Sequence, residues 1–206
     1  MEPHLTGKQY DKIASWWHVY HKTSSYGVKP FEHALNFVSA ERKGKQTAPL
    51  ALDVGCGSSD RFISILERSG FLLTGIDVSE KMIKLAKDNH PSHHFLHKDI
   101  GAWQPDNEYD YIYAWDSLFH LPLSMQKPVL TKLCNCLKEG GVLLYTFGGE
   151  EGEQTGTMQG NTFYYSSIGT NKNIQLLIEN GLHIQHLEKN QYPEDHVYVI
   201  ACKAQT

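Results

Sequence analysis

The 206-residue sequence lacks several features that would assign it to a class at once. Its charge is nearly balanced, with a formal net charge of −4 and an isoelectric point near 6.3, so it has no basic field that would attract nucleic acid. No run of about 18 apolar residues is long enough to span a bilayer. Residues 1–8 also lack the basic and apolar regions of a signal peptide. We therefore expect a cytoplasmic protein that binds neither nucleic acid nor membranes.

Cysteine is also scarce, and no Cys-x-x-Cys pair occurs among Cys56, Cys134, Cys136 and Cys202. Reduced thiols are therefore expected rather than disulfides or a zinc site. Histidine is more frequent, and three histidines lie within residues 93–97. If this segment is a strand, His93 and His97 share a face with Phe95, and no cysteine or paired carboxylate completes a set of metal ligands. We expect no metal.

A glycine turn between a strand and a helix is the main positive signal. An apolar strand pattern at 50–54 runs into Gly55-Cys56-Gly57, and a helix pattern follows from near Ser59. Glycine permits backbone angles that a Cβ forbids, and it lets a ligand lie against the main chain. The helix start directs free N–H groups at that ligand. The pattern therefore predicts a ligand-binding turn at the end of a parallel strand.

The charges around this turn indicate which nucleoside cofactor it binds. Asp77 ends the next strand, twenty positions past Gly57, where its carboxylate can accept hydrogen bonds from both hydroxyls of a ribose. A dinucleotide site needs a third glycine at the sixth position of the turn, but that position is Asp60, which would repel a pyrophosphate. Asp53 adds further negative charge. The pocket therefore favours a ligand with an ammonium and a sulfonium, S-adenosylmethionine, over NAD.

Four segments resemble, in order, the motifs of the class I S-adenosylmethionine-dependent methyltransferases, in the branch that acts on small molecules. They are residues 52–57, 75–82, 99–100 and 109–122, and a Tyr10-Asp11 opening is also common in the family. The resemblance covers nearly the whole chain and thins after Gly148. One departure is Ser59, where many members have a third glycine. The resemblance implies a doubly wound, Rossmann-like α/β fold with a seven-stranded, mostly parallel sheet in the order 3-2-1-4-5-7-6, the last strand antiparallel, and an N-terminal helical lid.

The cofactor site is predicted from the turn, the strand ends and the resemblance. We expect it to comprise Asp53, Gly55, Cys56, Gly57, Asp60, Asp77, Val78, Met82, Asp99, Ile100 and Trp115. Asp99 can accept the adenine amino proton, and Ile100 can offer its backbone N–H to the ring. Met82 either touches the adenine or fills space below a helix whose N-cap is Ser79.

Aromatic and polar residues outside the glycine turn are candidates for the acceptor side. We assign to the lid or the substrate pocket Tyr10, Trp16, Trp17, Asp116, His120 and Tyr164. The aromatic helix pattern at 10–20 is either a lid that excludes water or ordinary core packing. His120 is a candidate general base, because histidine has a reference pKa near 6.5, or it caps or packs under the following helix.

The remaining patterns predict one domain over residues 1–206, with a helical lid region at 1–43 and a sheet core at 50–206, joined by a polar linker at 43–49. Other expected elements are a second helix at 30–38, a turn at 138–141 and a solvated, glycine-rich connection at 148–160. The aromatic residues at 163–165 line the substrate pocket, contact the aromatic residues of the lid or pair as an extra strand.

The predicted function is methyl transfer from S-adenosylmethionine to an oxygen, nitrogen or other nucleophile of a small molecule, with S-adenosylhomocysteine as product. The segment 115–120 lacks the Asn-Pro-Pro-Tyr-like element that resembled enzymes acting on base amines carry. Two alternatives remain: a non-catalytic cofactor-binding or regulatory protein, which would have no cavity beside the transferable methyl, and an NAD-dependent oxidoreductase. A monomer or a homodimer is expected.

Overall fold

A computed structural model of the chain describes residues 1–38, 47–58 and 60–205. Its helices and strands, in chain order, are α1 (Pro3–His21), α2 (Val28–Leu35), β1 (Leu50–Val54), α3 (Asp60–Arg68), β2 (Leu72–Asp77), α4 (Glu80–Asn89), β3 (His94–His97), β4 (Tyr109–Ala114), a 3-10 helix (Leu118–His120), α5 (Leu123–Asn135), β5 (Leu137–Gly148), β6 (Glu151–Met158), β7 (Asn161–Ile168), α6 (Gly169–Glu179), β8 (Leu182–Asn190) and β9 (His196–Lys203). Part of the predicted linker at 43–49 lies outside the described residues, as do the lid boundary at residue 43, Ser59 and the side chain of Asp60.

Seven strands form one sheet in the order β3-β2-β1-β4-β5-β9-β8. The first five of these run parallel, whereas β9 is antiparallel to both β5 and β8. The predicted strand order and the antiparallel last strand are therefore confirmed. β2 and β3 lie on one side of β1, whereas β4 and β5 lie on the other side. The strand order therefore reverses between β1 and β4. Open α/β sheets bind ligands at such a reversal, outside the carboxyl ends of the strands.

The central strands are buried on both faces, and all six residues of β4 are buried. Because side chains alternate along a strand, Tyr111 packs in one core cluster and Ile112 in the other. On the Tyr111 side, Phe31 of α2 stacks on Phe62 of α3 with ring centroids 4.5 Å apart. The predicted second helix is therefore present as α2, anchored to the sheet by Phe31, although it ends earlier than expected.

The glycine-rich segment at 148–160 is not a solvated connection, and that prediction is wrong. β6 and β7 form a separate two-stranded antiparallel sheet in which Met158 lies opposite Asn161. The two residues between them, Gln159 and Gly160, have φ values of 50° and 72°, as a tight two-residue hairpin turn requires. β6 is exposed along most of its length, so its polar composition hid the strand. Residues 163–165 pair as part of β7, and Phe163 also contacts Tyr10 of α1, with ring centroids 4.8 Å apart.

Two further boundaries differ from the prediction. α1 begins at Pro3 rather than Tyr10, because proline is well tolerated in the first turn of a helix. Residues 138–141 lie within β5 rather than in a turn. Tyr109 pairs with Leu137, and Tyr111 pairs with Val142. An advance of two residues along β4 therefore corresponds to an advance of five residues along β5. The glycines there serve a bulge in the strand.

Candidate functional site

The glycine turn lies at the carboxyl end of β1, and β2 holds its backbone. The N–H groups of Gly55 and Cys56 both donate to the carbonyl of Ile76, at 2.9 and 3.0 Å. Gly55 and Gly57 have φ values of 78° and 54°, in the left-handed region that favours glycine. A Cβ at Gly55 would lie 2.3 Å from the Cβ of Ser117, so this position has no room for a side chain.

Asp77 closes the turn from the side of β2. Its two carboxylate oxygens each accept one backbone hydrogen bond, from Gly57 at 2.8 Å and from Ser79 at 2.7 Å. Burial raises the pKa of Asp77, and these hydrogen bonds oppose the rise. A carboxylate has about four lone-pair sites, so both oxygens keep capacity for further donors. Asp77 can therefore shape the turn and accept hydrogen bonds from a ligand at the same time.

The turn, Asp77 and α1 border a first cavity, which we call the inner crevice. The predicted cofactor residues that line it are Asp53, Gly55, Cys56, Gly57, Asp77, Val78, Met82, Asp99, Ile100 and Trp115. Only Asp60 of the predicted set is missing, because its side chain lies outside the described residues. The structure thus brings these residues together from four strand ends, while the cofactor contact of each stays a prediction. Ser79 caps α4 as predicted, since its hydroxyl accepts from the Met82 N–H at 3.2 Å.

The inner crevice contains a buried hydroxyl group that has no hydrogen-bond partner among the described residues. Thr6 of α1 is 3% exposed, lines the crevice and has a hydroxyl without a hydrogen-bond partner among the described residues. Buried hydroxyls are normally paired, so a ligand is expected to supply the partner. At Gly57 a Cβ would come no closer than 3.6 Å to Trp17, which leaves the backbone accessible. These features fit a nucleoside with several hydroxyl groups. No sequence signal marks Thr6.

Arg61 of α3 also lines the inner crevice, and the sequence analysis did not single it out. Its guanidinium lies 3.1 Å from Nδ1 of His21 and sits over the rings of Tyr26 and Phe62, 5.3 and 4.8 Å from their centroids. Burial lowers its pKa, yet arginine stays charged in proteins. A charged guanidinium beside the glycine turn suits a carboxylate, such as that of a methionine moiety. Its position directly after the turn was the signal available in the sequence.

α1 lies against the crevice and is attached to the start of α4. Asp11 accepts hydrogen bonds from the Ser79 hydroxyl at 2.6 Å and from the Lys81 N–H at 3.0 Å. A Cβ at Gly7 would lie 2.0 Å from the carbonyl oxygen of Val78, so glycine permits the close approach of this helix. The negative charge of Asp11 also faces the positive end of the α4 dipole. Whether α1 opens as a lid stays a prediction.

The aromatic residues of α1 divide into two groups. Tyr10 and Trp17 line the inner crevice, and their rings meet edge to face with centroids 5.4 Å apart. Trp16 instead stacks on Tyr20 with centroids 5.1 Å apart, and Tyr20 is 63% exposed. Trp16 lines neither of the cavities that make up the candidate site. Trp16 therefore does not line the substrate pocket, because the neighbouring Trp17 occupies that face of the helix, while its assignment to the lid stays a prediction.

Both ring nitrogens of His120 are hydrogen-bonded. Nδ1 lies 2.8 Å from the backbone carbonyl of Tyr164, and Nε2 lies 2.9 Å from the hydroxyl of Tyr10. Because a carbonyl can only accept, Nδ1 carries the hydrogen and Nε2 accepts from Tyr10. Burial lowers the pKa of His120 to about 4, although the hydrogen bond to Tyr164 opposes the shift. The ring is therefore neutral near pH 7.

A second cavity, which we call the outer cavity, extends from the inner crevice to the β6–β7 hairpin. The residues that line both cavities are Tyr10, Trp17, Asp116 and His120. All four were predicted for the lid or the substrate pocket. Tyr164 lines neither cavity, and its hydroxyl donates to Glu153. Side chains alternate along β7, so Tyr165 lines the outer cavity in its place, and the prediction is corrected by one residue.

Asp116, at this junction, has an unusual backbone. Its φ of 55° is left-handed, a conformation that is uncommon outside glycine although aspartate tolerates it better than most residues. Its N–H donates to the hydroxyl of Thr146 at 2.8 Å, and its carboxylate lies 2.9 Å from Nε2 of His196 and 3.4 Å from the hydroxyl of Tyr26. Strain that neighbouring groups hold in place is concentrated at functional sites in proteins.

Other predicted features were also located. Within the described ranges, no group of three or more His, Cys, Asp or Glu residues could hold a metal ion. In the 93–97 segment, His97 Nε2 lies 3.0 Å from the Val78 carbonyl, and His93 lies 3.3 Å from a carboxylate oxygen of Glu67. All four cysteines are free thiols. No described helix has the length and apolar character needed to cross a membrane.

The reversal of strand order, the glycine turn and the acidic residue at the end of β2 define a nucleoside-binding α/β protein. Comparison with known proteins narrows this class. Residues 51–141 match the family described as methyltransferase domain. The chain is 32% identical over 94 residues to trans-aconitate 2-methyltransferase of Rhizobium rhizogenes, covering 45% of this chain and 36% of that protein. It is 30% identical over 115 residues to malonyl-[acyl-carrier protein] O-methyltransferase of Salmonella typhimurium, covering 56% and 45%.

Solved structures show the same fold over a longer stretch. Magnesium protoporphyrin IX methyltransferase from Synechocystis, solved with bound S-adenosylmethionine, superposes with a TM-score of 0.71 at 17% identity and covers 99% of this chain and 98% of that one. The chain spans 36% and 45% of the length of the two curated relatives above. The predicted resemblance is confirmed for residues 51–141, which match the methyltransferase domain family, and a solved methyltransferase structure shares the fold of nearly the whole chain.

Proposed function

We propose that this protein is an enzyme that transfers a methyl group from S-adenosylmethionine to a nucleophilic atom of a small molecule. The observation that carries the proposal is the junction of the two cavities. The inner crevice holds the glycine turn and Asp77, and it meets the outer cavity at Tyr10, Trp17, Asp116 and His120. A cofactor and an acceptor bound in these two spaces would share one boundary.

The residues of the inner crevice fit separate parts of the cofactor. Asp77 would accept hydrogen bonds from the ribose hydroxyls, Thr6 would supply a further hydroxyl, and Arg61 would pair with the carboxylate of the methionine moiety. When bound, the cofactor supplies a methyl group on a positively charged sulfur that is reactive towards nucleophiles. Tyr10 and Trp17 exclude water from the junction. Holding the acceptor in line with the methyl group lowers the activation free energy by an amount on the order of several kcal/mol, as orientation does in other enzymes.

His120 acts as a positioning residue rather than a general base. A base works best when its pKa is near the operating pH, whereas the pKa of His120 is lowered to about 4 by burial. Its Nε2 is also already engaged by the hydroxyl of Tyr10. The role that follows is to orient Tyr10, whose oxygen keeps lone pairs for a donor on the acceptor.

A non-catalytic cofactor-binding protein is the second candidate, and it would have no need of the outer cavity. The relatives do not identify an acceptor for this chain, because their names include groups as different as trans-aconitate and a malonyl group on a carrier protein. The four free thiols fit the predicted cytoplasmic location. That location and the choice between monomer and homodimer stay predictions.

Calorimetry tests the binding part of the proposal. S-adenosylmethionine and S-adenosylhomocysteine are expected to bind with micromolar affinity, about −8 kcal/mol, whereas NADH should give no heat. Lack of binding by both adenosyl compounds contradicts the proposal. Methyl-labelled S-adenosylmethionine then separates the two candidates: an enzyme transfers label to an added acceptor, and a regulatory protein binds the cofactor and returns it unchanged.

A further inference from the structure

The outer cavity is lined by carboxylates and, within the described chain, by no lysine or arginine. The acidic residues that line it are Asp116, Glu150, Glu151, Glu153, Glu194 and Asp195. Two of these are compensated, since Glu151 pairs with Lys172 at 2.6 Å and Asp195 with Lys189 at 2.8 Å. The three remaining glutamates form no ion pair with a described residue. The mouth of this cavity therefore carries net negative charge.

The wall nearer the inner crevice is aromatic. It consists of Tyr10, Trp17, Tyr26, Phe119, Phe147 and Tyr165. The ring of Tyr165 lies 5.6 Å from that of Phe119 and 4.8 Å from that of His120. Rings arranged in this way bind flat apolar groups, and their faces attract cations.

The negative charge extends inward as far as the junction of the two cavities. Asp116 lies there, and its only described ion-pair partner is His196, at 2.9 Å. Burial, and after it the charge of Asp116, raises the pKa of Tyr165. The outer cavity is assigned as the acceptor site because it continues into the inner crevice. The carboxylates determine only the charge of the molecule that it accepts.

From these observations we infer that the methyl acceptor is a cationic amine with an aromatic or other flat apolar body. The flat body packs against the aromatic wall, the carboxylates at the mouth attract the cation, and Asp116 holds the protonated amine at the junction. An anionic acceptor would meet carboxylates at the mouth, where no described lining lysine or arginine offsets them, and again at Asp116, whose charge is offset from the inner crevice by Arg61. The inference rests on the proposed function, because it assigns the outer cavity to the acceptor.

Tyr10 supports a nitrogen as the accepting atom. Its hydrogen is donated to His120, so its oxygen can accept a hydrogen bond from an N–H group at the junction. The accepting nitrogen gives up a proton to water on the side of the outer cavity and uses the freed lone pair to form the new C–N bond. As that bond forms, the bond from carbon to sulfur breaks and its electron pair stays on sulfur. The product is a methylated amine.

Two probes of the same shape and opposite charge provide the test. Tryptamine and indole-3-propionate share an indole ring and a short chain, but one ends in an ammonium and the other in a carboxylate. Each is titrated calorimetrically into protein saturated with S-adenosylhomocysteine. Tryptamine is expected to bind at least about tenfold more tightly, because only the carboxylate is repelled. Equal or tighter binding of indole-3-propionate, or no binding of tryptamine, overturns the inference.

A triple variant checks which side chains are responsible. Changing Glu150→Gln, Glu153→Gln and Glu194→Gln together should weaken tryptamine binding at least about fivefold and leave affinity for S-adenosylhomocysteine unchanged. Glu32→Gln, on the exposed face of α2, is the matched control and should change neither affinity. Unchanged tryptamine binding in the triple variant overturns the inference. If the unmodified protein does not bind S-adenosylhomocysteine, the proposed function is overturned, and the inference that rests on it is overturned as well.

Discussion

Asp77 joins the glycine turn to the loop after β2, because each of its carboxylate oxygens accepts one backbone N–H. Asp77 also lines the inner crevice. A single carboxylate thus stabilises the shape of the turn and presents acceptors to a ligand, so its loss affects binding by two routes.

Asp77→Ala is expected to weaken S-adenosylhomocysteine binding by at least about tenfold, or 1.4 kcal/mol, because two backbone N–H groups and the ribose lose their acceptor. Calorimetry measures the affinity, and urea unfolding shows that the variant is folded. Asp88→Ala, which removes a 59% exposed carboxylate from α4, is the control and should bind normally. An unchanged affinity in Asp77→Ala would exclude Asp77 from the site.

Gly55 and Gly70 separate backbone strain from crowding. Both have positive φ, 78° and 75°, but a Cβ at Gly55 would collide with Ser117 whereas one at Gly70 would meet nothing within 4 Å. Gly70→Ala should lose about 1–2 kcal/mol of unfolding free energy and keep its ligand affinity. Gly55→Ala should in addition lose S-adenosylhomocysteine binding, since Ser117 must move. Normal affinity in a folded Gly55→Ala protein would refute the role assigned to the turn.

At the scale of elements, α1 is the part of the site that we predict to move. It is attached at Asp11 and approaches the crevice closely at Gly7, yet it buries few aliphatic side chains, Ile13 and Ala14 being the fully buried ones of that kind. A helix with a small buried apolar face and a few polar attachments belongs to the low-stability end of a fold.

Backbone hydrogens of residues 3–21 should therefore exchange quickly in the free protein and more slowly with S-adenosylhomocysteine bound. Hydrogen exchange read by mass spectrometry measures this. β4, which is buried throughout, is the internal control and should be protected in both samples. Equal, strong protection of α1 with and without ligand would show that it is a fixed part of the core.

At the scale of the whole molecule, the buried His120 and the half-buried His21 couple stability to pH. Burial lowers the pKa of His120 to about 4, and burial together with Arg61 lowers that of His21 to about 4. An unfolded histidine titrates near 6.5, so as pH falls the unfolded chain takes up protons first. The free energy of unfolding is therefore highest above about pH 6.5 and decreases as pH falls towards about 4.

His120→Asn should flatten this dependence. In the unmodified protein, His120 alone is expected to remove about 2 kcal/mol of unfolding free energy between pH 7.5 and pH 5. Urea unfolding at the two pH values measures the difference for protein and variant. The prediction concerns the slope, so a constant loss from the missing hydrogen bonds does not affect it. Identical slopes would show that His120 is not buried in its neutral form.

Much of the inner crevice could be predicted from the sequence because its signals are local. Glycine and aspartate at fixed spacing after apolar strands constrain the backbone within a few residues, and parallel strands bring their carboxyl ends to one edge. The fold followed from the same motifs. Arg61 was missed although it adjoins the turn, whereas Thr6 could not be found, because an unpartnered hydroxyl is defined only by what surrounds it.

Residues distant in sequence account for the rest. The sequence alone determined the glycine turn, Asp77 and the candidates Tyr10, Trp17, Asp116 and His120, and its resemblance to a known family implied the sheet order. Only the tertiary structure decided that the last four meet at one junction, and that Tyr165 rather than Tyr164 faces the outer cavity. It also decided that an exposed, polar segment pairs as β6 and brings its glutamates to the cavity mouth. These contacts depend on the register of β6 against β7 and on the packing of α1 against distant segments. Tyr10 and His120, for example, are 110 residues apart in the sequence, and no local pattern encodes their contact.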